Sequence, residues 1–390
     1  MDWDAVDWDA VHRLRDGFLT GSAGRGDYWR GVGELRTYEE TFAQRIGWKW
    51  RFVLSELAKL GWSPPAGTVV DWGCGTGIAS RLVGAAWPGA VTRLVLMDRS
   101  ALAVQFATDR ARESLPGVEI VAGDDRVASI LPARRESVPP SPTPADAQGV
   151  PLWPDQRGRD ARETRGQDAR DTDARATEPT TLIVSHVLGE LNDGALQGLL
   201  AMVRRARTVV WVEPGTHEIS RRLIDVRERL REEFSVVAPC THQAACGMLA
   251  VGNERHWCHH FAPAPPEIHT DGNWRKFGLL AGIDLRSLPL SYLVLDRRPA
   301  PLVTQPPPSP PAQPPALGVY RVIGRPRVYK AYAHLFGCDQ TGVRDYRLMK
   351  RHDPDAFNTI KKERGDTLQM WQTESTEILH VRHDIERDNG

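Results

Sequence analysis

The stretch TVVDWGCGTG, residues 68–77, decides how the chain folds. Its first five residues are mostly apolar and have the length of a short strand, and glycines then follow at alternating positions, Gly73, Gly75 and Gly77. Glycines at this spacing let the backbone turn sharply and approach a ligand where any Cβ would collide. Residues 78–87 have a helical apolar pattern, and the N-terminus of such a helix presents free amide groups to the same ligand. The stretch therefore predicts a strand, a ligand-binding loop and a helix.

Strands and helices alternate on both sides of this loop. Further strands are predicted at "RLVLMD", "VEIVAGD", "TLIVSHVL" and "TVVWVE", and helices at 100–113, 194–206 and 217–233. Because parallel strands need crossover helices, this order predicts an α/β fold with a doubly wound parallel sheet. Residues 34–60 have a helical apolar period, so we expect a helical N-terminal extension over residues 1–62.

Two low-complexity stretches divide the rest of the chain. Residues 131–179 contain few apolar side chains, cannot bury enough surface to offset their ordering entropy, and are predicted to be a disordered insertion. Residues 299–317 are Pro-rich and are predicted to be a semi-rigid linker. We therefore expect an α/β domain over 63–298, a small β-rich module over 318–366 and a polar tail over 367–390.

The bulk composition is that of a soluble protein. The 390 residues include 50 Lys or Arg and 50 Asp or Glu, so a nucleic-acid surface requires local clustering of charge. No apolar run approaches the ~18 residues of a membrane span, and the N-terminal "MDWDAVDWDAV" lacks the character of a targeting peptide. Five cysteines, an odd number, argue against a disulfide framework. We predict a cytoplasmic protein with reduced thiols and no membrane contact.

Carboxylates accompany the glycine loop. Asp98 ends the next strand, where it can accept hydrogen bonds from both ribose hydroxyls of a nucleotide. The spacing G-x-G-x-G, preceded by Asp71, differs from the G-x-G-x-x-G of dinucleotide enzymes and resembles the first motif of class I methyltransferases, which bind S-adenosylmethionine. The resemblance implies that Asp71 orients the loop near the methionine amino group, and that Asp124 and Asp125 lie near the adenine. A tight turn without a ligand is the alternative.

The end of the fourth predicted strand is where a methyltransferase holds its acceptor. Here it contains Ser185 and His186, not the Asn-Pro-Pro-aromatic motif of amide and amine methylases. His186 could act as a base and Glu190 could hold an acceptor. The alternative, which we favour, is that these residues line the cofactor pocket, as Ser185 does.

Cysteine is concentrated in "APCTHQAACGMLAVGNERHWCHHF", residues 238–261. This stretch contains Cys240, Cys246 and Cys258, while Cys338 comes much later and Cys74 is a small residue of the glycine loop. Four thiolates suit a zinc ion or an iron–sulfur cluster, but no C-x-x-C is present. Spacing alone leaves open a metal site, buried free thiols, and a mixed zinc site that uses the neighbouring histidines, His242, His256, His259 and His260.

Several segments together resemble a known family. They are "SHVLGEL" at 185–191, "VEPGT" at 212–216, "APC…C" at 238–246, "WCHHF" at 257–261, "SYLVL" at 291–295 and "GRPRVYKAYAHLFGC" at 324–338. They are similar to segments of the methyltransferase-like small-ribosomal-subunit assembly factors of mitochondria and bacteria, and the resemblance runs over roughly residues 35–130 and 180–366. It implies that Cys240, Cys246, Cys258 and Cys338 ligate a four-iron four-sulfur cluster, which would join the C-terminal module to the α/β body. It also implies an RNA-binding assembly platform more than a catalyst.

The C-terminal module is basic. Residues 318–365 contain eleven Lys or Arg and five Asp or Glu, with Tyr320, Tyr329 and Tyr332 among them. Cations can neutralise phosphates and rings can stack on unpaired bases. An ordinary solvated surface is the alternative, and the family resemblance favours RNA. The predicted RNA-binding residues are Arg321, Arg325, Arg327, Lys330, Lys350 and Arg351.

These observations lead to one hypothesis and two alternatives. The hypothesis is an S-adenosylmethionine-binding protein with an iron–sulfur cluster that binds small-subunit ribosomal RNA or the precursor particle, and not DNA, during assembly and translation. The first alternative is an active ribosomal RNA methyltransferase. The second is a zinc-stapled RNA- or protein-binding module whose pocket is empty.

Overall fold

The computed structural model describes residues 1–20, 29–123, 179–299, 316–362 and 366–382. Asp124, Asp125, and nearly all of the insertion and linker predicted at 131–179 and 299–317, lie outside the described residues. None of the described helices has both the length and the apolar character needed to cross a membrane.

An eight-stranded sheet forms the centre of the α/β body. Its strands are β1 (Gly67–Trp72), β2 (Val91–Met97), β3 (Glu119–Ala122), β4 (Thr181–Ser185), β5 (Thr208–Pro214), β6 (Ser235–Ala238), β7 (His260–Ala262) and β8 (Leu288–Asp296). They lie in the order β3-β2-β1-β4-β5-β8-β6, with β7 also paired to β8. The first five strands are parallel, as the sequence predicts, and their carboxyl ends meet at one edge.

The predicted α/β doubly wound fold is confirmed, and the parallel order holds for β1 to β5 but not for β6, β7 and β8. Strand β8 runs antiparallel to β5 on one side and to β6 and β7 on the other. Nearly every residue of β8 is buried because the strand is central. A continuous apolar run has the same appearance in either direction, so the residue pattern does not specify the strand direction.

Helices cover both faces of the sheet. They are α1 (Trp8–Thr20), α2 (Val32–Glu40), α3 (Phe42–Lys59), α4 (Ile78–Ala86), α5 (Ala101–Ser114), α6 (Asp193–Arg205), α7 (His217–Leu230), α8 (Glu267–Thr270) and α9 (Gly272–Ala281). Helices α3, α4 and α5 pack with Val69 on one face, and α6 and α7 pack with Val70 on the other. Neighbouring residues of β1 thus serve opposite cores, as the two-residue period of a strand requires.

The predicted N-terminal helix over residues 34–60 is two helices in the structure. The break falls at Thr41, whose hydroxyl donates to the carbonyl of Thr37. A threonine that bonds back to the preceding turn bends a helix. The aromatic side chains of this region pack with Trp274 and Phe277 of α9, so the N-terminal extension is part of the body.

The C-terminal module is a closed barrel. Its strands are β9 (Ala316–Val328), β10 (Tyr332–Asp339), β11 (Gly342–Met349), β12 (Leu368–Glu374) and β13 (Glu377–Arg382), joined in the order β10-β11-β13-β12-β9, with helix α10 (Pro354–Lys361) between β11 and β12. Its core contains Tyr320, Tyr346 and Trp371.

The barrel extends beyond residue 366, where the sequence predicts the module to end. Strands β12 and β13 occupy residues 368–382 of the predicted polar tail. Burial alternates along β12, so only every second side chain enters the core. The composition of such a strand is polar overall, and this is why the segment resembles a tail.

Candidate functional site

The glycine loop connects β1 to α4 at the carboxyl edge of the sheet. Gly73, Gly75 and Gly77 have φ values of 73°, 52° and 73°, in the left-handed region that favours glycine. A Cβ at Gly73 would lie 2.7 Å from Cγ1 of Val187, which follows β4. The amides of Gly73 and Cys74 donate to the Met97 carbonyl at 2.8 and 2.9 Å. The loop is therefore held against the ends of β2 and β4.

Two carboxylates lie beside this loop. Asp98 accepts hydrogen bonds from the amides of Gly75 at 3.0 Å and Ser100 at 2.9 Å. Asp71, on β1, is wholly buried. The hydroxyl and amide of Ser80 lie near enough to lower the pKa of Asp71, but neither carboxylate oxygen has a partner at good hydrogen-bond geometry among the described residues. Burial is the larger effect and raises the pKa of Asp71 to about 6, and it also raises the pKa of Asp98. A buried carboxylate with such weak donors is costly, which indicates a site shaped for a ligand that donates hydrogen bonds.

Polar groups from α3 meet the end of β4. Ser185 Oγ accepts from Trp50 Nε1 at 2.9 Å and lies 3.3 Å from His186 Nδ1. His186 has a φ of 56°, a strained backbone for a residue with a side chain. Lys49 Nζ lies 3.3 Å from His186 Nε2. These residues form the second wall of what we call the glycine-loop pocket, which comprises Asp71, residues 73–77, Asp98, Ser185 and His186.

Burial sets the protonation of this wall. It lowers the pKa of Lys49 to about 7, with the charge of Arg45 adding to the effect. Burial, then the charges of Lys49 and Arg45, lower the pKa of His186 well below its usual value. His186 is therefore a neutral imidazole at neutral pH. Glu190, the other candidate from the sequence, is exposed.

Two residues of this region escaped the sequence prediction, Lys49 and Glu213. Glu213, on β5, accepts from Trp211 Nε1 at 2.7 Å and from the amides of Leu188 and Val187 at 3.0 and 3.2 Å. Burial raises the pKa of Glu213 to about 7. Lys49 lies between Trp48 and Trp50 in the sequence. A lysine flanked by two large aromatic residues could have indicated that its side chain is buried.

Three of the four predicted cysteine ligands, Cys246, Cys258 and Cys338, pack in one buried cluster, and Cys240 lies near enough to raise the pKa of each of them. Cys240 follows β6, Cys246 and Cys258 lie in the loop before β7, and Cys338 is on β10 of the barrel. Burial, and then the charge of the other cysteines, raise the pKa of Cys258 well above its usual value. The same causes raise the pKa of Cys246 to about 11 and that of Cys338 further. We call this group the cysteine junction.

The junction holds body and barrel closely together. A Cβ at Gly247, next to Cys246, would lie 2.8 Å from the Val343 amide of the barrel, so only glycine allows this approach. Arg227 of α7 donates from Nε to Cys240 Sγ at 3.2 Å and from Nη2 to the Ala244 carbonyl at 2.8 Å.

The described residues do not contain a group of three or more His, Cys, Asp or Glu arranged to hold a single metal ion. Of the nearby histidines, His242 Nε2 lies 3.7 Å from Cys338 Sγ and His260 Nε2 lies 3.9 Å from Cys258 Sγ. His256 packs against Phe336 and His259 against Trp257. The mixed Cys/His zinc site that the sequence leaves open has no support in this geometry.

Arg321 is not at the surface, which corrects its prediction as an RNA-binding residue. It is only 2% exposed and pairs through Nη1 with Glu56 Oε2 of α3 at 2.7 Å. Its Nε donates to the Pro239 carbonyl at 2.8 Å. Arginine is rarely fully buried unless it is paired with an acid. The pair of Arg321 with Glu56 joins the barrel to the body. Sequence charge alone does not distinguish such an arginine from an exposed one.

The other predicted basic residues are exposed, namely Arg325, Arg327, Lys330, Lys350 and Arg351. Arg327 pairs with Asp345. The Lys350 amide donates to the Ala331 carbonyl at 2.9 Å, so the turns that carry Lys330 and Lys350 are neighbours. Tyr329 and Tyr332 stack there at 4.7 Å. We call Tyr329, Lys330, Tyr332, Lys350 and Arg351 the basic barrel end.

The strand order, the glycine loop and the acids at the carboxyl edge define a class I methyltransferase-like α/β protein with an added β-barrel. Residues 155–369 match the model of the family described as mitochondrial small ribosomal subunit Rsm22. The chain belongs to this family.

Several solved structures are similar to the chain. A putative RNA methyltransferase from Pyrococcus horikoshii is 11% identical, with 64% of this chain and 83% of that chain covered and a TM-score of 0.33. A plantazolicin methyltransferase in complex with a substrate analogue and SAH is 9% identical, with coverage of 74% and 98% and a TM-score of 0.35. The magnesium protoporphyrin IX methyltransferase of Synechocystis with bound SAM is 14% identical, with coverage of 73% and 95% and a TM-score of 0.32. No curated protein sequence matches the chain significantly.

Proposed function

We propose that this protein binds S-adenosylmethionine, carries a four-iron four-sulfur cluster and binds small-subunit ribosomal RNA, and that it assists assembly of the small ribosomal subunit in the cytoplasm. The observation that carries the proposal is the buried carboxylate of Asp71 beneath the glycine loop, which has no well-formed hydrogen bond among the described residues. The family to which the chain belongs is described as mitochondrial small ribosomal subunit Rsm22. This membership supports the small ribosomal subunit as the partner.

The glycine-loop pocket fits S-adenosylmethionine. Asp71 would accept a hydrogen bond from a donor such as the amino group of the methionine moiety, which would satisfy an otherwise costly buried charge. Asp98 lies at the end of β2, where an acid meets ribose hydroxyls in nucleotide-binding sheets. The open space at Gly75, where a Cβ would meet nothing within 4 Å, lets a ligand approach the backbone.

The cysteine junction supports the cluster that the family resemblance implies. Cys240, Cys246 and Cys338 all lie near enough to Cys258 to raise its pKa, and Cys338 comes from the barrel. Arg227 already donates to one sulfur, and such hydrogen bonds tune cluster potentials. Cluster binding would release the protons that burial keeps on Cys246, Cys258 and Cys338.

The basic barrel end supports contact with RNA. It presents three cations and a stacked pair of tyrosines, with Tyr329 49% exposed. Phosphates are attracted by such cations, and unpaired bases stack on such rings. An ordered array of this kind is typical of single-stranded RNA recognition.

An active ribosomal RNA methyltransferase is the second candidate, favoured by the wall opposite the glycine loop. Lys49 is buried and His186 is half-buried, the two are mutually close, and both are shifted toward their neutral forms. A neutral imidazole at the end of β4 could accept a proton from an acceptor nucleotide.

Transfer of labelled methyl groups tests both candidates. Protein purified without oxygen is incubated with methyl-labelled S-adenosylmethionine and immature small subunits, and both label in the RNA and protein on the particle are measured. We expect the protein to be bound to the particle. Asp98→Ala should reduce the amount of S-adenosylmethionine that the protein retains.

Near-stoichiometric label in the RNA, abolished by Asp98→Ala, would establish the second candidate instead. Absence of the protein from the particle, with or without label, would contradict the proposed function.

A further inference from the structure

A cleft of about 1430 Å³ separates the body from the barrel. Its body wall includes Arg51 and Phe52 of α3 and Phe261 of β7, and its barrel wall includes Arg325 of β9 and Lys362 after α10. The volume exceeds the roughly 300–1000 Å³ of small-molecule sites. The cleft is therefore of a size for a segment of a polymer.

The walls of the cleft are fixed relative to each other. The buried pair between Arg321 and Glu56 crosses the base of the cleft, and Lys59 Nζ reaches Asp366 Oδ1 at 2.7 Å. Neither contact depends on residues outside the described part of the chain. The cleft thus exists before any ligand enters, which lowers the ordering cost of binding.

Positive charge predominates in the cleft. Five Lys or Arg and three Asp or Glu line it. Of the three acids, Glu56 is buried against Arg321, and Asp366 pairs with Lys59. Arg51 and Lys362 are exposed and make no ion pair with any described residue. A net positive charge within a cleft attracts a negatively charged ligand.

Aromatic rings alternate with these cations. Phe52 and Phe261 are half-buried cleft residues, and the Arg325 guanidinium lies 4.4 Å from the centroid of the Phe261 ring. Cations that track a backbone and rings that receive bases are the two parts of a single-strand site. Exposed Arg327 follows Arg325 on β9, and exposed Lys330 lies in the turn after this strand. These residues form a basic path from the cleft to the basic barrel end.

We infer that this cleft holds a single-stranded RNA segment, with Arg51 and Lys362 on its phosphates and Phe52 and Phe261 against its bases. The inference rests on the proposed function, because it names where RNA binds. An acidic peptide is the other polymer that such charge would attract, but it would leave the aromatic walls unexplained.

Binding of a fluorescein-labelled 12-nucleotide single-stranded RNA of mixed sequence, followed by anisotropy over a range of salt concentrations, tests the inference. The double variant Arg51→Glu/Lys362→Glu should raise Kd at least tenfold. It should also lower the slope of log K against log salt by about 1.4, since each phosphate contact on a single strand contributes about 0.7. Arg51→Gln/Lys362→Gln should shift Kd in the same direction by less.

The matched control is Arg112→Glu/Arg229→Glu, two exposed arginines of α5 and α7 that do not line the cleft. It makes the same change in net charge and should leave Kd within about threefold. Thermal unfolding followed by circular dichroism establishes whether each variant is folded. If Arg51→Glu/Lys362→Glu is not folded, the Kd of Arg51→Gln/Lys362→Gln is compared with that of wild type instead.

The remaining outcomes separate the inference from the proposed function. Wild-type affinity in the cleft variants, with weaker binding in Lys330→Glu/Lys350→Glu, would overturn the cleft site and leave RNA binding in place. Wild-type protein that binds labelled polyglutamate but not RNA would overturn the inference in favour of an acidic peptide. Failure to bind either probe would contradict the proposed function itself.

Discussion

The glycine-loop pocket and the cysteine junction are built in different ways. The pocket uses residues at the ends of neighbouring parallel strands, and its central element, residues 68–77, is contiguous in the chain. The junction combines a loop of the body with Cys338 of the barrel, which follows the linker and the first barrel strand, β9, in the chain. It contains a buried ion pair between Arg321 and Glu56, and Arg227 donates a hydrogen bond to Cys240 Sγ. The pocket, in contrast, leaves the buried Asp71 carboxylate without a well-formed hydrogen bond among the described residues.

This difference indicates a different role for each region. An unsatisfied buried acid lowers the stability of the free protein and is compensated when a ligand donates to it. Paired buried charges fix how two modules dock, because removing either partner leaves the other uncompensated. The pocket is therefore prepared for a ligand, and the junction is prepared to hold the barrel in place.

The largest expected effect concerns the thiols of the junction. Cys338→Ser and Cys258→Ser should each abolish bound iron and acid-labile sulfide in protein purified without oxygen, because a cluster needs all four ligands. Cys74→Ser is the matched control, since this thiol lies in the glycine loop. It should leave iron and sulfide at wild-type levels.

Zinc without sulfide in the wild-type protein would eliminate the cluster. Retention of iron by Cys338→Ser alone would show that the barrel does not share the site.

The ion pair beneath the junction should give the next largest effect. Glu56→Gln leaves the Arg321 guanidinium buried without its acid and should lower the free energy of unfolding by about 3–5 kcal/mol. Urea denaturation measures the loss. Lys59→Ala, which removes a partner whose side chain is 53% exposed, should cost at most about 1 kcal/mol. Equal losses in the two variants would contradict the structural role of the buried pair.

The pocket should show a smaller effect that depends on pH. The folded pKa of Asp71, about 6, lies above its ordinary value of 3.8 because of burial. The folded protein therefore holds the proton more tightly than the unfolded chain, and wild type loses stability as pH rises from about 4 through 6. Relative to Asp71→Asn, the loss should approach about 3 kcal/mol at pH 8, at about 1.4 kcal/mol per pKa unit.

Urea denaturation of wild type and Asp71→Asn at pH 4 and pH 8 measures this change. Asp109→Asn, at an exposed position of α5, should alter the free energy of unfolding by less than about 0.5 kcal/mol at either pH. A difference between wild type and Asp71→Asn that does not change with pH would show that the Asp71 carboxylate is not desolvated.

Much of the body was predictable from the sequence because its signals are local. The strand, glycine loop and helix of residues 68–86 follow from a motif whose parts are adjacent in the chain. The alternation of strands and helices predicts the parallel part of the sheet for the same reason. The direction of β8 escaped prediction, because a strand buried on both faces has no pattern that specifies its direction.

Side-chain environments were less predictable. Lys49, Glu213 and Arg321 are all charged residues whose burial depends on elements distant in sequence. Residues 368–382 resemble a tail by composition, yet they close the barrel, because a third of their side chains are buried in it. Burial is a property of the packed elements, so composition alone cannot supply it.

By itself the sequence determined the glycine-loop pocket in outline, the four thiols and the family resemblance, since each depends on residue identity and short spacing. Only the tertiary structure decided that Cys338 meets the body, that Arg321 is a structural cation and that a basic cleft lies between the modules. The physical reason is that docking of the barrel depends on shape and charge pairing between surfaces separated by more than fifty residues along the chain. Such pairing exists only once both modules have folded.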